Sequence, residues 1–355
     1  MKKKTIFFIT STISGGGAER QLAILSTLLP HKEFEVHVLY TRSGSYLNFY
    51  TDSNVILHFI GYKSSYDIRI FLKICYLILK YKPSIIHTWL LQADILGGLA
   101  AIIFNLKWIM SERSSGISEK TSFIYSLRIW MVKFSNLVLT NSIQGLKFWR
   151  KQKIKSLAFI PNIYYPKFLE KKYQDNEIRI ERTNKKIIFF VGRLVPQKNP
   201  INFIKAIMQV SETKKNISAY IIGDGKLFNE LQVCNKNNNL ISILPFSSLS
   251  SADIKRAHIF VSLSNFEGHP NTAVEFSAQK IPMVLSNIKS HRDIFSEEDV
   301  QYCDQNSIES ISNAILKVLS SKKRVAELND LSKRVIKAGN YKVLINQYIK
   351  IYNQL

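Results

Sequence analysis

The sequence is short of cysteine for its length. Its three cysteines, Cys75, Cys234 and Cys303, lie far apart among 355 residues, with no CxxC pair and no cysteine–histidine cluster. Zinc sites draw their ligands from such closely spaced pairs, so we expect no structural zinc centre. Three thiols without a disulfide framework are typical of a reducing compartment, which favours the cytoplasm.

Long hydrophobic runs are also missing. A transmembrane helix needs about 20 consecutive apolar residues, whereas the most apolar window, residues 95–104 (ILGGLAAIIF), is bounded by Asp94 and Lys107. The basic start MKKKTIFFITST resembles the beginning of a signal peptide, but its apolar run, residues 6–9, is shorter than the roughly 7–15 residues that a signal requires. We therefore predict a buried helix, a buried first strand and no membrane-spanning segment.

Acidic residues are the third shortage. Against 49 Lys and Arg there are 26 Asp and Glu, which gives a formal net charge of +23. Such a field attracts anions, and the classes it favours are nucleic acids, phosphorylated ligands and acidic lipid surfaces. The sequence has no zinc-finger, RRM or basic-zipper motif, so recognition of nucleic acid has no motif behind it. A generally lysine-rich surface explains the charge equally well.

Apolar strand-like runs alternate with helix-like segments, and the alternation starts afresh near the middle of the chain. KTIFFIT and FEVHVLY open the first half, and KKIIFFVGRL opens the second. The alternation predicts parallel βαβ units, and its repetition predicts two doubly wound α/β domains, in which ligands bind beyond the carboxyl ends of the strands. We place the first domain at residues 1–169, a linker at 170–186, the second domain at 187–338, and a C-terminal helix at 339–355 that packs back on the first domain.

Three loops at predicted strand ends carry residues suited to binding an anion. The GGG run at residues 15–17 precedes a predicted helix, whose free N–H groups attract phosphate. The stretch VGRLVPQKN places Arg193 and Lys198 just past a strand, where a bidentate fork and a mobile point charge could balance a diphosphate. The GDG run at residues 223–225 suits a turn that a flat base can approach. Each loop also has a plain structural explanation, as a strand–helix turn or as solvated cations.

The stretch SNFEGHPNTAVEF holds two glutamates, Glu267 and Glu275. We predict a strand before Glu267 and a helix that starts near Pro270 and contains Glu275. The two carboxylates then need not face one bond, as the acid–base pair of a glycosidase must. A carboxylate repels phosphate but accepts hydrogen bonds from sugar hydroxyls, while the backbone N–H groups of residues 268–272 can hold an anion. The stretch therefore predicts a holder for a ligand with both phosphate and hydroxyl groups.

Together these motifs resemble the retaining glycosyltransferases with the GT-B fold, of the family-4 type (glycosyl transferases group 1). The match runs in order through GGGAER, PSIIHTW, FIPNI, VGRLVPQKNP, GDGKLFNEL and FEGHPNTAVE, over nearly the whole chain. Its most specific part is the spacing E-x7-E with GR-x4-K upstream. The resemblance implies two Rossmann-like domains that face a cleft, and a nucleotide-diphosphate sugar, UDP-linked, held mainly by the second domain.

The resemblance also implies roles for individual residues. Arg193 and Lys198 stabilise the leaving diphosphate, Glu267 touches the donor sugar, and Glu275 binds the ribose hydroxyls. Enzymes of this family usually need no metal and no cofactor besides the donor substrate, because cationic side chains stabilise the charge. The further implied donor contacts are Gly16, Gly17, Gly192, Gly223, Asp224, Gly225, Gly268, His269, Pro270, Asn271 and Thr272.

Three departures from the family pattern fall near the expected site. Ile163 stands where relatives often have glycine, and Gln279 and Lys280 replace another common glycine. Arg113 stands where relatives often carry a histidine that contacts the donor sugar. We therefore treat Arg113 as a candidate contact for the sugar or the acceptor.

The implied activity is transfer of a hexosyl or N-acetylhexosaminyl group to a hydroxyl of a glycan or lipid-linked glycan, in bacterial surface polysaccharide synthesis such as O-antigen or capsule. Basic, aromatic segments at residues 70–82 and 123–134 suit docking on the cytoplasmic face of an anionic membrane. Two alternatives stay open: a nucleotide-sugar epimerase of the same fold, which needs no acceptor, and a basic nucleic-acid-binding protein without enzymatic activity. A phosphorylase would need a pyridoxal-phosphate lysine, which the sequence does not identify. We expect no nucleic-acid partner.

Overall fold

The computed structural model describes residues 3–62, 64, 67–113, 123–167, 184–236, 238–245, 249, 251–321 and 325–355. The chain forms two compact units: unit 1 consists of Met1–Ile163 and Gly339–Leu355, and unit 2 of Tyr164–Ala338. Each unit holds one parallel sheet with helices between its strands, which confirms the predicted class of two α/β domains. Residues 170–183 of the predicted linker lie outside the described part of the chain.

Unit 1 is built on a seven-stranded parallel sheet. Its strands are β1 Lys4–Thr10, β2 Phe34–Tyr40, β3 Ile56–Phe59, β4 Ile85–Trp89, β5 Lys107–Glu112, β6 Leu137–Thr140 and β7 Leu157–Phe159. Their order across the sheet is β3-β2-β1-β4-β5-β6-β7. Successive strands are therefore added toward one edge up to β3 and toward the other edge from β4 onward, with the switch point between β1 and β4. Strands covered on both faces are apolar throughout, which is why Ile6, Phe7, Phe8 and Ile9 are all buried.

The helices of unit 1 connect these strands, and a last helix returns from the chain end. They are α1 Gly17–Leu28, α2 Ile68–Tyr81, α3 Leu91–Ile103, α4 Phe123–Val132, α5 Ile143–Lys151 and, at the end, α13 Tyr341–Gln354, with a 3-10 turn at Leu47–Tyr50. Helices α2 to α5 pack on one face of the sheet, against side chains such as Phe7, Trp108 and Met110. Helix α13 is held to the first strand, because Lys4 Nζ donates a hydrogen bond to the carbonyl of Tyr352 at 2.6 Å.

Unit 2 repeats the pattern with a six-stranded parallel sheet. Its strands are β8 Lys186–Val191, β9 Ile217–Ile222, β10 Ile241–Leu244, β11 Ile259–Ser262, β12 Met283–Ser286 and β13 Gln301–Cys303. The order β10-β9-β8-β11-β12-β13 reverses between β8 and β11. In open α/β sheets the loops beyond such a switch point form the ligand site. The loops after β8 and β11 are therefore the place to look in unit 2.

The helices of unit 2 complete its two apolar layers. They are α6 Pro200–Thr213, α7 Phe228–Cys234, α8 Ser251–Ile254, α9 Asn271–Ala278, α10 Lys289–Arg292, α11 Ile308–Ser320 and α12 Val325–Ala338, with a 3-10 turn at Pro196–Lys198. Helix α9 is fixed by Phe276, whose ring stacks on Phe260 of β11 at a centroid distance of 4.2 Å. This contact anchors α9 directly behind the loop that follows β11. None of the described helices, in either unit, has the length and apolar character needed to cross a bilayer.

Candidate functional site

The loops after β8 and β11 in unit 2 are hydrogen-bonded to each other. The side-chain amide of Gln197 donates to the carbonyl of Phe266 at 2.7 Å, and the backbone N–H of Asn265 donates to the carbonyl of Gln197 at 2.8 Å. Strands β8 and β11 are neighbours in the sheet, so their loops emerge side by side. These bonds bring together residues that are far apart in the sequence.

Lys198 and Glu267 form an ion pair between these two loops. Lys198 Nζ donates to Glu267 Oε1, and the hydroxyl of Ser264 donates to the same oxygen at 2.6 Å. Burial alone would raise the pKa of Glu267, but the charge of Lys198 and the two hydrogen bonds outweigh it, so the pKa lies below its usual value. Glu267 is therefore ionised at neutral pH and holds the ammonium group of Lys198 in place.

Arg193 lies in the same loop and is exposed to solvent. Its guanidinium donates to Gln197 Oε1 at 3.4 Å, which is a long and weak hydrogen bond. Binding a ligand anion at Arg193 therefore breaks no ion pair, whereas at Lys198 the anion competes with Glu267. The two predicted cations differ accordingly, one held inside the loop and one at its surface.

Helix α9 begins at the end of the β11 loop, and Pro270 is its N-cap residue. The first backbone N–H groups of a helix have no intrahelical partner and attract anions. His269 Nδ1 and Asn271 Oδ1, at the same helix start, lie 3.2 Å apart, and Gly268 precedes them. Thr272 follows in the first turn, and Glu275 is half-buried on the next. The predicted phosphate-binding backbone therefore does lie at a helix N-terminus.

The GDG run forms a third loop at this edge of the sheet, after β9. Leu194 donates its N–H to the carbonyl of the exposed Asp224 at 2.8 Å, and Gly192 donates to Ile222 at 3.0 Å. A side chain at Gly223 would place its Cβ 1.9 Å from the carbonyl oxygen of Gly192. Glycine is thus required there by the close approach of two backbones, which is a packing reason beside the predicted contact with a base.

Gly16 and Gly17 lie in unit 1, at the start of α1 and beyond the carboxyl end of β1. Gly16 is the N-cap residue in an extended conformation, and Gly17 is the first helical residue. The carboxylate of Glu19, in the first turn, packs over Gly16, since a Cβ there would lie 2.0 Å from Glu19 Oε2. The role of Gly16 and Gly17 toward a donor stays a prediction.

In unit 2, two cations, an anionic anchor and a helix N-terminus thus lie around one sheet edge, a set of groups able to bind a diphosphate. Residues 172–339 match the family described as glycosyl transferases group 1. The Escherichia coli protein named UDP-Gal:alpha-D-GlcNAc-diphosphoundecaprenol alpha-1,3-galactosyltransferase is 26% identical over 321 residues, which cover 83% of this chain and 82% of the relative. The structure of Anabaena Alr3699/HepE in complex with UDP-glucose matches with a TM-score of 0.84 at 13% identity, over 99% of this chain and 100% of that chain.

This chain is a glycosyltransferase, and its unit 2 carries the family match. A second relative points the same way: a Campylobacter jejuni protein named GalNAc-alpha-(1->4)-GalNAc-alpha-(1->3)-diNAcBac-PP-undecaprenol alpha-1,4-N-acetyl-D-galactosaminyltransferase is 25% identical over 290 residues, which cover 76% of each chain. The resemblance read from the sequence motifs is confirmed at the level of the fold and of the enzyme class.

Arg113 of the glycosyltransferase follows β5 in unit 1, and its guanidinium is held on several sides. It lies over the ring of Trp89, with Cζ 3.8 Å from the ring centroid. It donates to Asn162 Oδ1 and to the Tyr348 hydroxyl, each at 3.1 Å. These contacts join the end of β4, the segment after β7 and helix α13. They give a structural reason for arginine at this position, and its contact with sugar or acceptor stays a prediction.

Three polar residues beneath the ion pair were not predicted from the sequence. Ser264 holds Glu267, and its own carbonyl accepts a hydrogen bond from Ser286 at 2.7 Å. His291 is fully buried and donates from Nδ1 to the carbonyl of Ser286 at 2.9 Å. Burial lowers the pKa of His291, so the ring is neutral with its proton on Nδ1. Their place in the sequence could have indicated them, because Ser264 follows β11, Ser286 ends β12 and His291 follows β12.

No cluster of three or more His, Cys, Asp or Glu side chains with the arrangement of a metal site occurs in the part of the chain that the structure describes. The positive charge beside a bound diphosphate would come from Arg193 and Lys198.

Proposed function

We propose that this glycosyltransferase moves a sugar from a UDP-sugar to a hydroxyl of a lipid-linked glycan, with retention of the anomeric configuration, in the assembly of a surface polysaccharide. The observation that carries the proposal is the ion pair of Lys198 and Glu267, with Arg193 beside it, at the switch point of the sheet in unit 2. Both the named relatives act on acceptors with a diphosphoundecaprenol group, and HepE binds UDP-glucose.

The charges of the site fit the charge that develops in such a transfer. As the bond between the sugar and the diphosphate breaks, negative charge grows on the phosphate oxygens. Arg193, Lys198 and the first N–H groups of α9 are donors already in place for it, and one such donor is typically worth about 10²–10³ in rate. The acceptor hydroxyl attacks on the face that the diphosphate leaves, so a donor phosphate oxygen can take its proton. Glu275 binds the ribose hydroxyls in this proposal.

Alanine substitutions of the two cations test the proposal. Arg193→Ala and Lys198→Ala should each lower UDP release in the presence of a diphosphoundecaprenol-linked sugar acceptor by about a hundredfold or more. The matched control is Lys205→Ala, an exposed lysine on α6, which should leave the rate unchanged. UDP-sugars are screened first by thermal shift to choose the donor. Near-normal turnover in both cation variants would refute the proposal.

Analysis of the product separates transfer from the alternatives. NMR of the purified product should show the same anomeric configuration at the transferred sugar as in the donor. Conversion of the nucleotide sugar in the absence of acceptor would instead identify an epimerase. A product with inverted configuration would contradict the retaining mechanism while leaving the transferase activity in place.

A further inference from the structure

Helix α2 carries a row of large apolar side chains on its outer surface. Ile68, Leu72, Tyr76 and Leu79 are 65%, 57%, 60% and 63% exposed. With 3.6 residues per turn, these four positions fall within an arc of about 80° on one side of the helix. The opposite side packs against the sheet through Ile70, Ile74, Leu77 and Ile78. A contiguous apolar surface of this kind on a soluble domain marks an interaction site.

A cationic row runs next to the apolar row on the same helix. Arg69, Lys73 and Lys80 fall within the adjacent arc of about 40°, and the helix sequence IRIFLKICYLILKY contains no acidic residue. Asp67, the N-cap, pairs with Arg69 at 2.6 Å. The uncompensated charge of this row therefore comes from Lys73 and Lys80.

The two helices beside α2 extend this surface. Helix α3 packs against both α2 and α4 on the same face of the sheet. Ile102 and Ile103 at the end of α3 are exposed. On and just beyond α4, Trp130 and Phe134 are each 56% exposed and meet edge to face at 5.2 Å. We call the outer side of these three helices the α2–α4 face.

We propose that the α2–α4 face docks unit 1 on an anionic lipid bilayer. Apolar and aromatic side chains bordered by lysines are the composition of helices that lie in a membrane interface, where the apolar side enters the acyl boundary and the lysines meet anionic headgroups. Trp130 and Tyr76 supply the amphipathic rings that favour this boundary. The proposal rests on the proposed function in one respect: a lipid-linked acceptor is presented at the bilayer surface.

A protein partner fits this face less well. Interfaces between proteins are depleted of lysine relative to the rest of the surface. A second copy of this chain, joined by a two-fold axis, would bring the same lysine row of each copy into one interface. With a net charge of +23 on each chain, such a contact adds repulsion to the desolvation of the lysines. An anionic bilayer supplies the opposite charge and an apolar layer together.

Vesicle co-sedimentation tests the proposal on the full-length protein. We expect the protein to bind vesicles of phosphatidylcholine with phosphatidylglycerol and to bind phosphatidylcholine alone much less. Leu72→Gln with Leu79→Gln, and separately Lys73→Gln with Lys80→Gln, should each weaken binding to the anionic vesicles by about tenfold. The matched controls lie in unit 2: Val233→Gln, exposed on α7, and Lys205→Gln on α6.

The outcomes are distinct. Binding of both double variants as tight as that of the unchanged protein would overturn the proposal, and so would absence of binding in the unchanged protein or an equal loss in the controls. A dimer in sedimentation velocity that the Leu72→Gln and Leu79→Gln variant dissociates would assign the face to a second copy and overturn the bilayer.

A second readout separates this proposal from the proposed function. The thermal shift caused by UDP should be the same in the unchanged protein and in both double variants, because the α2–α4 face lies in unit 1 and the cations that would bind UDP in unit 2. Vesicle binding without any shift by UDP would refute the donor site alone. A UDP shift without vesicle binding would refute the docking surface alone.

Discussion

At the scale of the residue, the ion pair of Lys198 and Glu267 suggests a role for the glutamate besides the predicted contact with donor sugar. The side chains are only 20% and 11% exposed, and the residues are 69 positions apart in the sequence. A carboxylate that neutralises Lys198 before the donor arrives keeps the ammonium group desolvated yet stable. A diphosphate that binds at Lys198 would then take over part of the charge that Glu267 balances.

Substitution of the glutamate tests this exchange of partners. Glu267→Gln leaves the ammonium of Lys198 partly buried without a counter-charge, so we expect the free energy of unfolding without ligand to fall by about 2 kcal/mol. Because UDP supplies the missing negative charge, its thermal shift should be larger in the variant than in the unchanged protein. The matched control, Glu230→Gln, changes an exposed carboxylate on α7 and should alter neither quantity. Equal stability and an equal UDP shift in Glu267→Gln would leave only the sugar contact for this residue.

At the scale of the secondary-structure element, the central strands of unit 1 could be predicted from the sequence, whereas an edge strand was not. The predicted strands Lys4–Thr10 and Phe34–Tyr40 coincide with β1 and β2, because central parallel strands are apolar over their whole length. Strand β3 (Ile56–Phe59), at the edge of the sheet, is half-exposed and was not predicted. The sequence around it, VILHFI, is apolar, so a signal for this strand was present and was missed. The strand-end rule located the unit 2 loops, but which side chains pair depends on the register of β8 against β11, which no local pattern encodes.

At the end of α9, Lys280 stands near a position where relatives often have glycine, and its backbone conformation should lower the free energy of unfolding. Lys280 has a φ of +64°, in the left-handed region. Its N–H donates to the carbonyl of Ser277 at 2.9 Å, and the N–H of Ile281 donates to the carbonyl of Phe276 at 3.1 Å. This is the Schellman arrangement, whose left-handed position glycine usually occupies. Ile163 differs, because it is not among the residues with positive φ, and glycine is not required there.

Glycine at this helix end should therefore stabilise the protein. In Lys280→Gly the relief of left-handed strain, about 1–2 kcal/mol, exceeds the added flexibility of the unfolded chain, about 0.5–1 kcal/mol. We expect the free energy of unfolding, measured with urea, to rise by about 0.5–1 kcal/mol. Lys147→Gly, an exposed lysine within α5, is the control and should lower it by about 1 kcal/mol. A decrease of similar size in both variants would show that Lys280 is not strained.

At the scale of the whole molecule, buried histidines connect stability to pH. His37 and His87 in unit 1 and His291 in unit 2 are fully buried. Burial lowers the pKa of each ring; the carboxylate of Glu35 partly offsets this at His37, and the charge of Arg113 adds to it at His87. Asp94 acts in the opposite direction, because burial raises its pKa to about 6 in spite of Arg128. The half-buried His58, beside His37, belongs to the same group, because burial lowers its pKa to about 4, and the pKa of the more exposed His258 is also lowered. The folded chain thus binds fewer protons than the unfolded chain at these histidines and more at Asp94.

The balance predicts that the protein loses stability on mild acidification. Above about pH 6.5 the histidines are neutral in both states, and below it only the unfolded chain gains their protons, at a cost of up to about 1.4 kcal/mol per histidine and pH unit. Between about pH 7.5 and pH 5.5 we expect the free energy of unfolding in urea to fall by roughly 3–4 kcal/mol after the opposing effect of Asp94. Carboxylates with lowered pKa contribute only at more acidic pH, so within this window the change comes from the histidines and from Asp94. His87→Asn should flatten the dependence by about a quarter, since it removes one of the four buried or half-buried histidines. A stability that is constant or rises toward pH 5.5 would show that the rings become charged inside the fold.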